Sequence, residues 1–181
     1  MSLPPPGMEP VADLGHLPYR PNVGAVLFNP QGLVLVARRA DLPPDEASST
    51  GWQLPQGGID GDEAPRRAVL RELHEEIGTD RAEILAEHPE WLTYDFPPHL
   101  RGGGRKAAFR GQRQRWFALR FIGRDSDIRL DAEPVPEFDA WRWVPLETLP
   151  ELAVAWKRPV YTALAEAFAR FAAPPSMDLK P

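Results

Sequence analysis

Glu72, Glu75 and Glu76 crowd carboxylates into the stretch Arg71-Glu72-Leu73-His74-Glu75-Glu76. On a helix these positions are related by i, i+3 and i+4, so their side chains converge on one patch. Like charges held that closely repel, and a helix gains nothing from them unless a cation lies between. Mg²⁺ and Mn²⁺ are the hard ions that carboxylates suit, and both bind phosphate oxygens in turn. The spacing therefore points to a metal site for phosphate chemistry, the alternative being a solvated acidic face of the helix.

A helix over 62–77 is expected to carry these carboxylates, with Asp62 as its N-cap and Gly78 as its C-terminal stop. Leu70, Leu73 and Ile77 fall on one side of it and the glutamates on another, so one face packs on a sheet while the other meets an opening. Before it, Asn22 to Phe28 and Gly32 to Ala37 are apolar runs separated by Asn29-Pro30-Gln31-Gly32, which predicts a hairpin. Residues 41–51 predict a polar loop, and Trp52 to Leu54 a short strand feeding the turn Pro55-Gln56-Gly57-Gly58. Strands are expected over 83–94, 114–123 and 138–144. A last helix is expected over 158–172, with Pro159 in its first turn and Val160, Leu164, Ala167, Phe168 and Phe171 on its apolar face. Residues 1–17 and 173–181 hold prolines without periodicity and are expected to be tails. Short strands, one glycine-fed helix, more strands and a final helix make an α+β pattern.

A chain of 181 residues suits a single domain, placed here at 18–172. Hydrophobic content of 43% and charged content of 26% are those of a soluble globular protein. The absence of cysteine excludes a disulfide framework, a thiol nucleophile and a zinc–thiolate site. No apolar run reaches the length of a membrane span, and the start MSLPPPGMEP lacks a signal peptide's basic and apolar regions, so a cytoplasmic protein without a membrane partner is expected. A net charge of −5 argues against a nonspecific coat on nucleic acid, and no DNA partner is expected. Yet the segment from Phe96 to Arg120 contains no acidic residue and holds Arg101, Arg105, Lys106, Arg110, Arg113, Arg115 and Arg120. That stretch is either a solvated loop or a surface for polyanionic phosphates.

Gly57, five residues, Glu63, seven residues, then Arg71-Glu72-Leu73-x-Glu75-Glu76-x-Gly78 resembles the Nudix box; Thr79 departs from the aliphatic residue that usually ends it. The resemblance implies a Nudix hydrolase with an α/β/α sandwich on a central mixed sheet. It implies Mg²⁺, or Mn²⁺, with two or more ions per site. Glu75 and Glu76 would bind metal directly, with Glu72 a further ligand or a base that orients water. Arg71 would hold the carboxylates in place, Glu63 would support it, and Gly57 would let a backbone carbonyl reach an ion. Such enzymes often draw another carboxylate from outside the box, and Glu137, in Pro136-Glu137-Phe138-Asp139-Ala140-Trp141-Arg142-Trp143, fills that place. Water would attack phosphorus, without a covalent enzyme intermediate.

Further segments resemble the bacterial RNA pyrophosphohydrolase family, which overlaps the dinucleoside polyphosphate hydrolases. They are Tyr19-Arg20-Pro21-Asn22-Val23-Gly24, Ala37-Arg38-Arg39, Trp52-Gln53-Leu54-Pro55-Gln56-Gly57-Gly58, Gly111-Gln112-Arg113-Gln114-Arg115-Trp116-Phe117 and the segment around Glu137. By that resemblance Arg20 and Arg39 would contact phosphates or the first nucleotides, Tyr94 would line the phosphate end, and Val154, Trp156 and Lys157 would form the base pocket. Trp156 stands where the family has phenylalanine, which keeps stacking but changes the ring that a base meets. Loops 41–51 and 101–110 are placed to border the opening. The implied substrate is RNA with a 5′-triphosphate; a dinucleoside polyphosphate is the alternative, and an inactive nucleotide-binding module a third, disfavoured by the intact carboxylates.

Overall fold

The structure, a computed structural model, describes residues 15–43 and 51–172. Residues 1–14 of the expected tail 1–17, the expected tail 173–181, and the stretch 44–50 of the polar loop lie outside the described residues. A mixed sheet forms the centre, built from β1 (Tyr19–Phe28), β2 (Val34–Arg39), β3 (Trp52–Gln53), β4 (Gln56–Gly58), β5 (Ala82–Glu87), β6 (Leu92–Asp95), β7 (Gly111–Phe121) and β8 (Phe138–Val144). β1 and β7 run parallel in its middle, from Tyr19↔Gly111 to Phe28↔Arg120, and the remaining pairings are antiparallel. Helices α1 (Pro65–Ile77), α2 (Leu149–Leu152), α3 (Arg158–Ala167) and α4 (Ala169–Ala172) complete it.

Side chains alternate across β1, so its two faces feed separate cores. Val23, Ala25 and Leu27 pack with Val69, Leu73 and Ile77 of α1. Val26 and Phe28 pack with Trp116, Tyr161, Leu164 and Phe168 on the α3 side. This is the expected α+β fold, an α/β/α sandwich on a central mixed sheet. Among the described residues no helix is long and apolar enough to cross a membrane.

Several boundaries differ from expectation, each for a local reason. α1 begins at Pro65 with Ala64 at its N-cap, not at Asp62. Proline suits a first helical position but forces the residue before it into extended backbone, and Ala64 sits at φ −68°, ψ 135°. Gly78 does end the helix, at φ 73°, its N–H donating to the His74 carbonyl at 3.0 Å. The expected strand 83–94 is two strands, broken where Pro89 removes a ladder donor and the Glu90 N–H turns to His88 Nδ1. The last helix breaks at Phe168, which lets Phe168 pack on His88 and Phe171 on Phe28.

β1 and β7 are each three residues longer at their shared end than the apolar runs predict, starting at Tyr19 and Gly111 instead of Asn22 and Gln114. Their residues are held there by strand pairing and hydrogen bonding rather than by apolar packing. That extension carries Arg20 and Gln112 into the functional cleft, and β4 pairs there with Asn22, Val23 and Gly24 where sequence predicts only a turn.

Candidate active site

A cavity of about 480 Å³ opens on the α3 side of the sheet, at the end where β1, β4, β6 and β7 meet. It gathers every residue expected at the substrate: Arg20, Arg39, Tyr94, Val154, Trp156 and Lys157. Glu72, Glu137 and Gly57 line it as well, so one carboxylate of α1, that of Glu72, reaches it from the other layer of the sandwich, whereas Glu75 and Glu76 do not line it. Glu72 does so past Gly57, where a Cβ would overlap its carboxylate. Gly57→Ala is therefore expected to displace Glu72 and lower kcat/KM about tenfold, as loss of an orienting partner does. Unchanged kinetics in a folded variant would show that Glu72 has room to spare.

The cation between the clustered glutamates is a residue of the same helix. Arg71 donates to both oxygens of Glu63, at 2.9 and 2.8 Å, to Glu72 at 2.9 Å and to Glu75 at 3.2 Å. Its remaining reach goes to the Gly58 carbonyl at 2.8 Å, which ties the helix to β4. The Glu63 fork holds the guanidinium flat, the geometry that arginine and a carboxylate share. Among the described residues no His, Asp or Glu side chains are gathered into a ready cage for an ion, because Arg71 draws Glu72 and Glu75 to itself.

Glu76 is different. It is 4% exposed, and one oxygen accepts from the Gln56 N–H at 3.1 Å. The other, Oε1, is buried without a hydrogen-bond partner. Burial pushes this carboxyl well above the ordinary glutamate range, and the charges of Glu137 and Glu72 push further. Burial also raises Glu72, against the pull of Arg71. Carboxylates that raise one another around an orphaned oxygen fit a divalent cation, whose charge would reverse each of these penalties.

The opposite wall is cationic and aromatic. The main chain ties the end of β2 to the start of β8, Ala40 N–H donating to the Glu137 carbonyl at 2.9 Å, so Arg39 and Glu137 stand side by side. Arg39 Nε in turn donates to Asp41 at 2.9 Å. Lys157 lies over the Tyr94 ring at 5.6 Å. Burial, then the charges of Arg39 and Lys106, lower its ammonium to about 8. A polyanion bound among these groups would remove that penalty. Trp156 meets His99 edge to face at 5.6 Å, leaving aromatic surface at the cavity wall.

Sequence reading missed a buried amide network beneath the cavity. Gln114 Nε2 donates to Asn22 Oδ1 and Gln56 Oε1, both at 2.9 Å, and Trp116 Nε1 donates to Gln114 Oε1 at 3.1 Å. The Tyr94 hydroxyl donates to Gln112 Oε1 at 2.7 Å. The available signal was the alternation Gln112, Gln114, Trp116 on one face of β7. The basic segment divides between structural pairs and the cavity wall. Arg110 pairs with Asp95, Arg115 with Glu87, and Arg120 donates to the Asn29 carbonyl at 2.6 Å, while Lys106 lines the cavity.

A glycine-fed helix of carboxylates beside a cationic, aromatic cleft is an arrangement suited to hydrolysis of phosphoanhydrides. The chain matches the NUDIX domain over residues 18–164 and belongs to that family, whose hydrolases work with divalent metal ions. It is 65% identical over 158 residues to the RNA pyrophosphohydrolase of Acidiphilium cryptum, covering 86% of this chain and 93% of that protein. It is 57% identical over 166 residues to the RNA pyrophosphohydrolase of Gluconacetobacter diazotrophicus, covering 91% and 99%. The fold is that of the E. coli dihydroneopterin triphosphate pyrophosphohydrolase, at TM-score 0.59 and 19% identity over 83% of this chain and 99% of that one.

Proposed function

We propose that the protein is an RNA 5′-pyrophosphohydrolase, which converts a 5′-triphosphorylated end to a monophosphate and releases pyrophosphate. The observation that carries this reading is a single cavity in which Arg20, Arg39, Lys106 and Lys157 face Glu72 and Glu137, with Trp156 at its wall. Cations answer the triphosphate, an aromatic ring answers one base, and carboxylates answer the metal. The names of relatives at 57–65% identity support RNA over a dinucleoside polyphosphate. In this proposal residues 18–172 form the catalytic domain, with tails on either side, and the enzyme works in the cytoplasm.

Glu72, Glu75, Glu76, Glu137 and the Gly57 carbonyl would hold Mg²⁺, or Mn²⁺, with more than one ion at work. Bound there, the metal neutralises charge on the phosphate oxygens and makes water a stronger nucleophile. The protein's own groups do the rest. Arg20 and Arg39 fix the phosphate chain, and Lys157, Trp156 and Val154 hold the 5′ nucleotide by charge and stacking. Water forms the new P–O bond as the anhydride P–O bond breaks toward pyrophosphate. Glu72 opens on the cavity and is placed to take the water's proton, whereas Glu76 is shut behind it.

Triphosphorylated RNA and diadenosine tetraphosphate offered in parallel with Mg²⁺ test the reading. Preference for RNA by more than about tenfold in kcat/KM, equivalent to about 1.4 kcal/mol, is the expected result. The reverse preference would assign the enzyme to dinucleotides.

A further inference from the structure

The cavity accounts for only part of such a substrate. At about 480 Å³ it matches the pocket size of one drug-sized ligand, roughly 300–1,000 Å³, so it takes a single nucleotide with its phosphates. The remainder of an RNA chain must lie elsewhere on the protein.

β7 shows where. Gln112 and Gln114 turn toward the cavity side, and strand alternation sends Arg113 and Arg115 to the opposite face. There both guanidiniums lie over the ring of Trp91, Arg113 at 4.8 Å and Arg115 at 5.5 Å. Arg113 is exposed, and among the described residues no ion pair engages it. One carboxylate is paired with the group: Glu87 is shared between Arg115 and, at 3.9 Å, Arg66 of α1. Exposed Glu90 is the neighbour of Trp91 in sequence. The result is a patch of three guanidiniums around Glu87 and Trp91 on a protein of net charge −5. Trp91 immediately precedes β6, which pairs with β7 alone among the described residues, while Tyr94 of β6 lines the cavity. The cavity and the patch thus lie on opposite faces of this short strand.

We infer that Trp91, Arg113, Arg115 and Arg66 form a second nucleic-acid contact, which takes the RNA downstream of its 5′ nucleotide as the chain passes over β6. This rests on the RNA reading of the cavity. Single-stranded RNA is held by base stacking on aromatic rings and guanidinium planes and by arginine on the phosphates, and an Arg–Trp–Arg group on an open sheet edge offers both. Guanidiniums already stacked on a ring lose little freedom on binding.

The test compares a triphosphorylated dinucleotide with an RNA of about 20 nucleotides bearing the same 5′ end, longer than the roughly 4–16 nucleotides that one single-strand site covers. Arg113→Glu and Trp91→Ala are each expected to raise KM for the long RNA about tenfold, leaving kcat and the dinucleotide KM unchanged. Arg113→Lys, which keeps the charge but not the stacking plane, should give a KM for the long RNA between those of wild type and Arg113→Glu, and Arg113→Ala should flatten the salt dependence of log kcat/KM by about 0.7. Equal effects on both substrates, or none on either, would overturn the inference. If the wild-type protein cleaves neither RNA, the catalytic reading falls, and anisotropy with the same long RNA carrying a 5′-hydroxyl decides the patch alone. Weaker binding by Arg113→Glu then upholds it; identical binding overturns it and leaves the surface to an acidic protein.

Discussion

Glu76→Gln is expected to lower kcat/KM about a thousandfold, a loss of about 4 kcal/mol in transition-state stabilisation. The estimate follows from the several kcal/mol that a catalytic ion contributes, since Glu76 carries the buried oxygen without a partner. Glutamine keeps the shape and can still accept from the Gln56 N–H. What it removes is the charge. The same change should abolish the rise in melting temperature that Mg²⁺ gives the wild-type protein. Wild-type activity, or an intact Mg²⁺ effect on melting, would remove Glu76 from the metal site.

The metal-free protein gives an independent reading of that carboxylate. Burial raises Glu76 in the folded state, and an unfolded glutamate titrates near 4.3, so the folded form holds its proton to higher pH. Its stabilising contribution is present below the unfolded value and is lost as pH climbs toward the folded one. In chelator, Glu76→Gln should therefore be more stable than wild type at pH about 7.5, and the gap should shrink toward pH about 4.5. Urea midpoints of both proteins at the two pH values measure it. A gap that stays constant would mean that Glu76 is not desolvated as its position implies.

What sequence revealed of this site, and what it hid, divides along a physical line. The carboxylates of α1 were legible because helical geometry alone converts spacing into a shared face. Their burial was not, since it depends on β4, whose glycines give no strand signal yet pair with Asn22 and Val23. The N-cap was misplaced because Asp62 has the right side chain, while Pro65 decides where helical backbone can begin. The polar starts of β1 and β7 were invisible for the same reason as the amide network: their strand character comes from pairing across ninety-odd residues of chain, as Gln114 with Asn22 shows. Periodicity reports burial, and these residues are buried for hydrogen bonding instead.

Arg71→Lys isolates the largest effect that comes from a group remote from the phosphates. Arg71 closes six bonds at once, with Glu63, Glu72, Glu75 and the Gly58 carbonyl, and only a planar fork has donors in those directions. Lysine restores the positive charge but can satisfy the Glu63 pair or the Glu72 side, not both. Glu72 and Glu75 then lose their register against Gly57 and β4. Activity and Mg²⁺ affinity are both expected to fall about a hundredfold, the upper range for loss of a partner that orients metal ligands. The drop in Mg²⁺ affinity, measured by calorimetry, separates this from a charge effect, because lysine preserves the net charge. Raising Mg²⁺ should recover part of the activity of Arg71→Lys and none of that of Glu76→Gln. If both variants recover alike, Arg71 is a ligand competitor rather than the clamp that orders the carboxylates.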